Sequence, residues 1–237
     1  MDIIQPESYA IPSSVSISNN LPAKSPYKPY IKHAKTEPAT RPSDAKPWDV
    51  AALCWAYDWP VGLVGGGVIA IVELGGGWVS SDLEKFCMHN NIPVPSVTDV
   101  SVDGTRNRPG ADADSDGEVA LDIQVAAAAY SVATGKPAII RVYWANDIAA
   151  AVRAALQDGC DVCSISWGAD EAEWGRPAAE DMEHAAAAAV AAGMVVLAAS
   201  GDNDSSDGGP NRANVDTPAS CPHVIACGGT RKTATKE

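Results

Sequence analysis

The chain has 237 residues, 46% of them hydrophobic, and a formal charge of −13, so it can bury one substantial core. Residues 1–50 hold six Lys/Arg against five Asp/Glu and the remainder hold 11 against 25, which excludes nucleic-acid backbones and anionic membranes as expected partners. The opening MDIIQPESYA has neither a basic n-region nor an apolar h-region, and the longest weakly polar run, Ala185 to Ala199, falls short of the roughly 18 apolar residues of a membrane span. No membrane span is expected.

Residues 1–47 are read as an extended arm. They carry six prolines between Leu21 and Pro47 and few large apolar side chains, too little to fold on their own. An ordered arm must lie on another surface. Its tyrosines Tyr27 and Tyr30, with Trp48, Trp55 and Trp59 just after it, are aromatic anchors of the kind enriched in interfaces. The expected partner is a second protein or another copy of the chain, in an obligate complex burying more than about 1,000 Å².

Residues 48–237 read as a doubly wound α/β layer. Short apolar runs at Val68 to Val72, Ala138 to Val142, Val162 to Ile165, Met194 to Leu197 and Val224 to Ala226 have the look of buried parallel strands. Between them lie helix signals. Ser81-x-x-Glu84 reads as a capping box before Leu83 and Phe86. Asp147 precedes Ile148, Val152 and Leu156, which repeat every four residues up to Gly159. Pro177 marks a first turn, with Glu180 and Asp181 loading its N-terminal end and Gly193 closing it. Cys160 and Cys163 flank an extended segment spanning about 10 Å, beyond disulfide reach. Buried thiols in a reducing compartment, the cytoplasm, are the expectation for the six cysteines.

In sheets of this kind ligands bind beyond the carboxyl ends of the strands, and the residues there are chemically capable. Glu73 follows the first run, Trp167 follows Ser164-Ile165-Ser166, and Asp202 follows the Leu197 run. Glu118 and Asp122 open an apolar helical stretch at i, i+4 spacing, on one face. Two carboxylates so close compete for protons and divide into acid and base. The competing reading is a solvated acidic first turn that complements the helix dipole.

Six segments resemble core segments of the sedolisins, the serine-carboxyl peptidases, in that family's order. They are Glu73-Leu74-Gly75-Gly76-Gly77, Val100-Ser101-Val102-Asp103-Gly104, Asp116-Gly117-Glu118-Val119-x-Leu121-Asp122-Ile123, Ser164-Ile165-Ser166-Trp167-Gly168, Ala199-Ser200-Gly201-Asp202 and Ala226-Cys227-Gly228-Gly229-Thr230. The resemblance covers residues 48 to 231 and implies a subtilisin-like fold. It implies Glu118 as general base to a serine, Asp122 as its support, Asp202 as an oxyanion donor, and Glu73 and Trp167 as extensions of the network. A carboxyl network suits acidic pH, where histidine would be charged and unable to accept a proton.

This sequence departs from the family pattern in two places. The family's nucleophile lies in a Gly-Thr-Ser segment beyond Cys-Gly-Gly-Thr, which these 237 residues do not contain, and the family's calcium site is expected to be missing with it. Asn203-Asp204 also replaces the usual Ser-Gly. The resulting expectation is a non-catalytic, peptidase-like subunit that binds a partner at the arm and at the sheet edge. The alternative is half of an endopeptidase, completed by a second chain that supplies the serine. Two rival signals remain. Asp112-x-Asp114-x-Asp116-Gly117 resembles the start of a calcium loop, although Ile123 stands where an EF-hand needs Glu, and a solvated acidic loop competes with it. Gly75-Gly76-Gly77 after a strand resembles a dinucleotide turn whose third glycine would fall at Ser80.

Overall fold

The computed structural model describes residues 28–29, 49–206 and 211–230. Five elements give the order of the first half: β1 (Lys28–Pro29), α1 (Val50–Ala56), β2 (Ile69–Glu73), α2 (Ser80–His89) and β3 (Ser96–Ser101). The chain continues through α3 (Ala113–Thr134), β4 (Ile139–Trp144), α4 (Ile148–Gln157), β5 (Val162–Ile165), β6 (Trp167–Asp170) and α5 (Glu171–Trp174). It ends on α6 (Arg176–Ala191), β7 (Val195–Ala199), β8 (Asp216–Thr217) and β9 (Ile225–Cys227).

Six strands form one parallel sheet in the order β3-β4-β2-β5-β7-β9. The five expected strands are all in it, shifted by at most two residues. Their Val/Ile/Ala runs are continuous because a central parallel strand is covered on both faces. Ile71 points into a layer with Leu83, Val119 and Ile123 of α2 and α3, while Ala70 and Val72 point into the opposite layer with Ile148 and Val152 of α4 and Met182 of α6. This is the subtilisin-like, doubly wound α/β arrangement. From β2 the chain runs to the edge strand β3, returns inward to β4 beside β2, then crosses to the other side through β5, β7 and β9. The switch point therefore falls at the carboxyl end of β2, where Glu73 stands.

Several local expectations need correction. The edge strand β3 was not anticipated as a strand. Its Ser-Val-Thr-Asp-Val-Ser sequence is exposed except at the half-buried Val97 and Val100, so it carries no apolar run. Helix α2 begins at Ser80 with Val79 as a cap that makes no side-chain bond, leaving Ser81 inside the first turn rather than capping it. Helix α6 begins at Arg176, with Pro177 in its first turn, so Glu180 and Asp181 lie a turn deeper and take ion pairs with Arg176 and Arg153 instead. The last strand is not buried, since Ile225 is 55% exposed. The Asp147 cap is as expected, its carboxylate accepting from Ala150 N at 2.7 Å.

The glycine run after β2 serves close approach. A Cβ on Gly77 would lie 2.2 Å from Pro109 N, and one on Gly76, at φ +71°, would lie 2.5 Å from the Ser115 carbonyl carbon. The run lets the 107–116 loop press against the end of β2, and so it brings the start of α3 to Glu73.

All six cysteines are free, and Cys54, Cys87, Cys160, Cys163 and Cys221 are buried while Cys227 is exposed. Among the described residues no helix is long and apolar enough to cross a membrane.

Candidate active site

The site is assembled from four elements at the carboxyl edge of the sheet. Glu73, the last residue of β2, is fully buried, and its Oε2 accepts a hydrogen bond from the Trp167 indole Nε1 at 2.8 Å. Trp167 opens β6 directly after β5, so the bond ties the ends of two adjacent strands across 94 positions of sequence. From above, α3 delivers Glu118 and Asp122. Asp122 Oδ1 accepts from the Ser166 hydroxyl at 2.9 Å. Glu118 is only 2% exposed.

That burial removes the solvated-first-turn reading. Helix α3 begins at Ala113, capped by Asp112, whose Oδ1 accepts from Asp114 N and Ser115 N. The first-turn acids are thus Asp114 and Asp116, and Glu118 lies a turn further in, on the face turned to the sheet. The position of a carboxylate along a helix sets its neighbours, and here those neighbours are two other carboxyls.

Three buried oxygens of the group, Glu73 Oε1, Glu118 Oε2 and Asp122 Oδ2, have no hydrogen-bond partner. Each such oxygen favours a shared proton over a charge. Burial, then the Asp122 charge, pushes Glu73 well above the usual carboxylate range, against the opposing bond from Trp167. Burial, then the charges of Asp122 and Asp202, pushes Glu118 up to about 8. Asp122 rises to about 6 through burial, and the Ser166 hydroxyl restrains it. Both carboxyls are thus held toward their protonated forms, each disfavouring a charge on the other. The set titrates as a unit.

Asp202 lies three residues past β7. It is exposed, yet near enough for its charge to raise the proton affinity of Glu118. The structure thus brings Glu73, Glu118, Asp122 and Trp167 into one network, with Asp202 at its open side. Ser166 belongs to it and was not singled out from sequence. Its signal was present in the alternation of Ser164 and Ser166 about Ile165, which puts both hydroxyls on one face of a strand end.

The acidic run Asp112, Asp114 and Asp116 does not converge on a common point. Asp112 caps α3, and Asp116 Oδ2 accepts from Gly110 N at 2.6 Å. Among the described residues no group of three or more His, Cys, Asp or Glu is placed to hold a metal ion.

Of the expected interface aromatics, Tyr27, Tyr30 and Trp48 lie outside the described residues. Trp55 is 86% exposed. Trp59 instead ties its own chain together, donating its indole N–H to the Ala129 carbonyl at 3.1 Å. The one described piece of the arm, β1, also pairs with its own chain. Lys28 stands opposite Gly168 and Pro29 opposite Trp167 in an antiparallel ladder. At these two residues the arm lies on its own chain, along the open backbone edge of β6, and the rest of the expected arm contact falls outside the described residues.

A subtilisin-like sheet with a buried carboxyl network at its switch point defines the class, and comparison with known proteins agrees. The profile of the Subtilase family matches residues 119–236. Kumamolisin of Bacillus sp. (strain MN-32) is 42% identical over 203 residues, covering 81% of this chain and 35% of kumamolisin. In fold, the chain matches Pseudomonas sedolisin, a serine-carboxyl proteinase solved with two molecules of pseudo-iodotyrostatin. That match has a TM-score of 0.68 at 22% identity, over 81% of this chain and 56% of the sedolisin chain. The chain is a member of the sedolisin-like family and corresponds to part of its catalytic domain. It spans about a third of the length of kumamolisin.

Proposed function

We propose that the chain carries the acid–base half of a serine-carboxyl endopeptidase site, and that by itself it is a non-catalytic, peptidase-like subunit. The observation that carries this reading is the buried, unpartnered oxygen of Glu118, close enough to the Asp122 carboxyl for the two to compete for protons. In the proposed mechanism, a serine hydroxyl outside these 237 residues approaches Glu118. Its hydrogen bond favours the charged carboxylate and lowers the proton affinity of Glu118, which makes the group a base. Glu118 takes the hydroxyl proton as the oxygen attacks the peptide carbonyl, and returns it to the leaving amine. Asp122, steadied by Ser166, stabilises the proton on Glu118, and Glu73 with Trp167 holds the end of that network dry. Asp202 serves as a hydrogen-bond donor to the oxyanion. Three buried carboxyls near enough to raise one another's proton affinity cost stability wherever they ionise, and perturbed groups of this kind gather at functional sites.

The hydroxyl-bearing polypeptide is placed on apolar surface the described residues leave open. On the outer side of helix α3, Leu121 and Val125 are 46% and 40% exposed. At the sheet edge β9 has β7 as its one described neighbour. Sedimentation at micromolar concentration is expected to show the chain self-associated; a stable monomer would count against this surface.

Catalytic competence is tested directly. The chain alone is expected to leave denatured protein uncleaved between pH 3 and 8. A chimera joining it to the remainder of the kumamolisin catalytic domain is expected to cleave, with Glu118→Gln lowering turnover by about 10²–10⁴. Turnover by the chain alone, or a chimera indifferent to Glu118→Gln, would overturn the assignment.

A further inference from the structure

A second cavity, of about 490 Å³, adjoins the carboxyl network and plays no part in the proton chemistry. Its wall includes Gly75, Gly76, Thr105, Arg106, Arg108 and Asn146. It adjoins the network through Gly75, whose Cβ position would lie 3.9 Å from the Trp167 ring and 3.8 Å from Ser115 Oγ. Trp167 is the residue whose indole holds Glu73, and its backbone is part of the edge along which Lys28–Pro29 runs extended.

The charges of this wall are unbalanced. Of the lysines and arginines described between residues 49 and 230, Lys85, Arg153 and Arg176 are in ion pairs. Lys136 and Arg141 donate to backbone carbonyls. Among the described residues Arg106, Arg108 and Arg212 are exposed without a side-chain partner, and Arg106 and Arg108 share this one cavity. The carboxylate beside them, Asp103, is occupied. It accepts from Thr105 N at 3.1 Å, and from Asn146 N and Nδ2 at 2.6 and 3.0 Å. A chain of net charge −13 thus keeps two guanidinium groups without side-chain partners on the wall of one cavity.

The loop that presents them is fixed at several points. Gly104 N donates to Ser101 Oγ, Asn107 Oδ1 accepts from Trp78 N, Asn107 Nδ2 donates to Asp99 Oδ2, and Arg108 N donates to the Gly76 carbonyl at 2.9 Å. A loop already ordered spends little further entropy on binding. Guanidinium is the side-chain group that matches a carboxylate with two parallel donors.

We propose that Arg106 and Arg108 form a subsite for an Asp or Glu side chain of a peptide lying along the cleft, so that the site selects acidic peptides. This rests on the peptidase reading above, since it takes a peptide as the ligand. The ligand is a carboxylate because two guanidinium groups share the cavity, and a peptide's because the cavity wall at Gly75 lies against Trp167, whose backbone already pairs with an extended segment at Pro29.

The test is binding by the full 237-residue chain of fluorescein-labelled Ala/Ser octapeptides, read by fluorescence anisotropy. One position at a time is Glu, Gln or Lys. At pH 6.5 and low salt, the best Glu peptide is expected to bind about three- to tenfold tighter than its Gln isostere. The gap should close in 0.5 M salt and in the R106A/R108A double variant, and R106E/R108E should turn the preference toward Lys. Equal affinity for Glu and Gln peptides with the unaltered chain would overturn the subsite and leave the peptidase reading standing. Failure to bind any peptide would overturn both. The isostere and salt comparisons use the unaltered chain and stand even where a double variant fails to fold.

Discussion

Between pH 4.5 and 8, the melting temperature of the chain is expected to fall more steeply than that of its Glu118→Gln variant. Glu118 moves from an ordinary 4.5 to about 8 on folding, chiefly through burial and then through the charge of Asp122. The native state therefore binds the proton more tightly than the unfolded state does. Stability from this group is fully present below the unfolded value near 4.5 and is lost as pH rises through the folded value near 8. Asp122 acts in the same direction over the lower part of the window, up to about 6, and so does Glu73. Once the coupling within the network is shared out, the loss due to Glu118 is roughly 2–4 kcal/mol. For a domain of this size that corresponds to roughly 5–10 °C of additional fall. Glutamine cannot ionise, so its curve should be flatter by that amount whatever its absolute stability. Thermal melts at half-unit pH intervals measure the difference directly, and parallel curves for the two proteins would show that Glu118 titrates near its ordinary value and is not in the network.

The largest loss of stability is expected from Trp144→Ala. Trp144 ends β4, is fully buried, and packs in the layer with Ile71, Leu83, Val119 and Ile123. Its indole Nε1 donates to Asp99 Oδ1 at 2.8 Å, an oxygen that also accepts from Trp78 Nε1 at 3.0 Å. Removing the ring leaves a cavity under α3 and costs about 3–5 kcal/mol. Trp144→Phe retains most of the apolar volume and loses the indole donor, and about 1–2 kcal/mol is expected there. Urea unfolding followed by circular dichroism separates the two terms. Since α3 rests on this layer, the alanine variant should also flatten the pH dependence described above, because Glu118 loses its fixed place against the sheet. An alanine variant within about 1 kcal/mol of the parent would mean that the layer repacks freely.

How far the sequence could be read depended on how local the determining physics is. The runs at Ile69–Glu73, Val162–Ile165 and Val195–Ala199 were legible because strands covered on both faces must be apolar throughout. The Asp147 cap was legible because a cap bond closes within three residues. By contrast β3 gave little signal, since an edge strand is half solvated and its polar residues pair only through the backbone. Ser81 and Glu84 had the spacing of a capping box, but the helix starts at Ser80 without a side-chain cap and is held through Leu83 and Cys87 in the core.

The site divides in the same way. From sequence, the spacing of Glu118 and Asp122 put them on one helix face, and the motifs around Glu73, Trp167 and Asp202 marked the family. Whether that face looked to water or to the core was not a local property. It was decided by the close approach that Gly76 and Gly77 permit, which brings the 107–116 loop and the start of α3 onto the end of β2. Only then do three carboxyls meet in a dry space and hold protons that isolated side chains would release. The partners Ser166 for Asp122 and Trp167 for Glu73 lie 44 and 94 positions away. Such pairings arise from strand order in the sheet, so the chain by itself determined which groups could do the chemistry, and the tertiary structure decided their protonation.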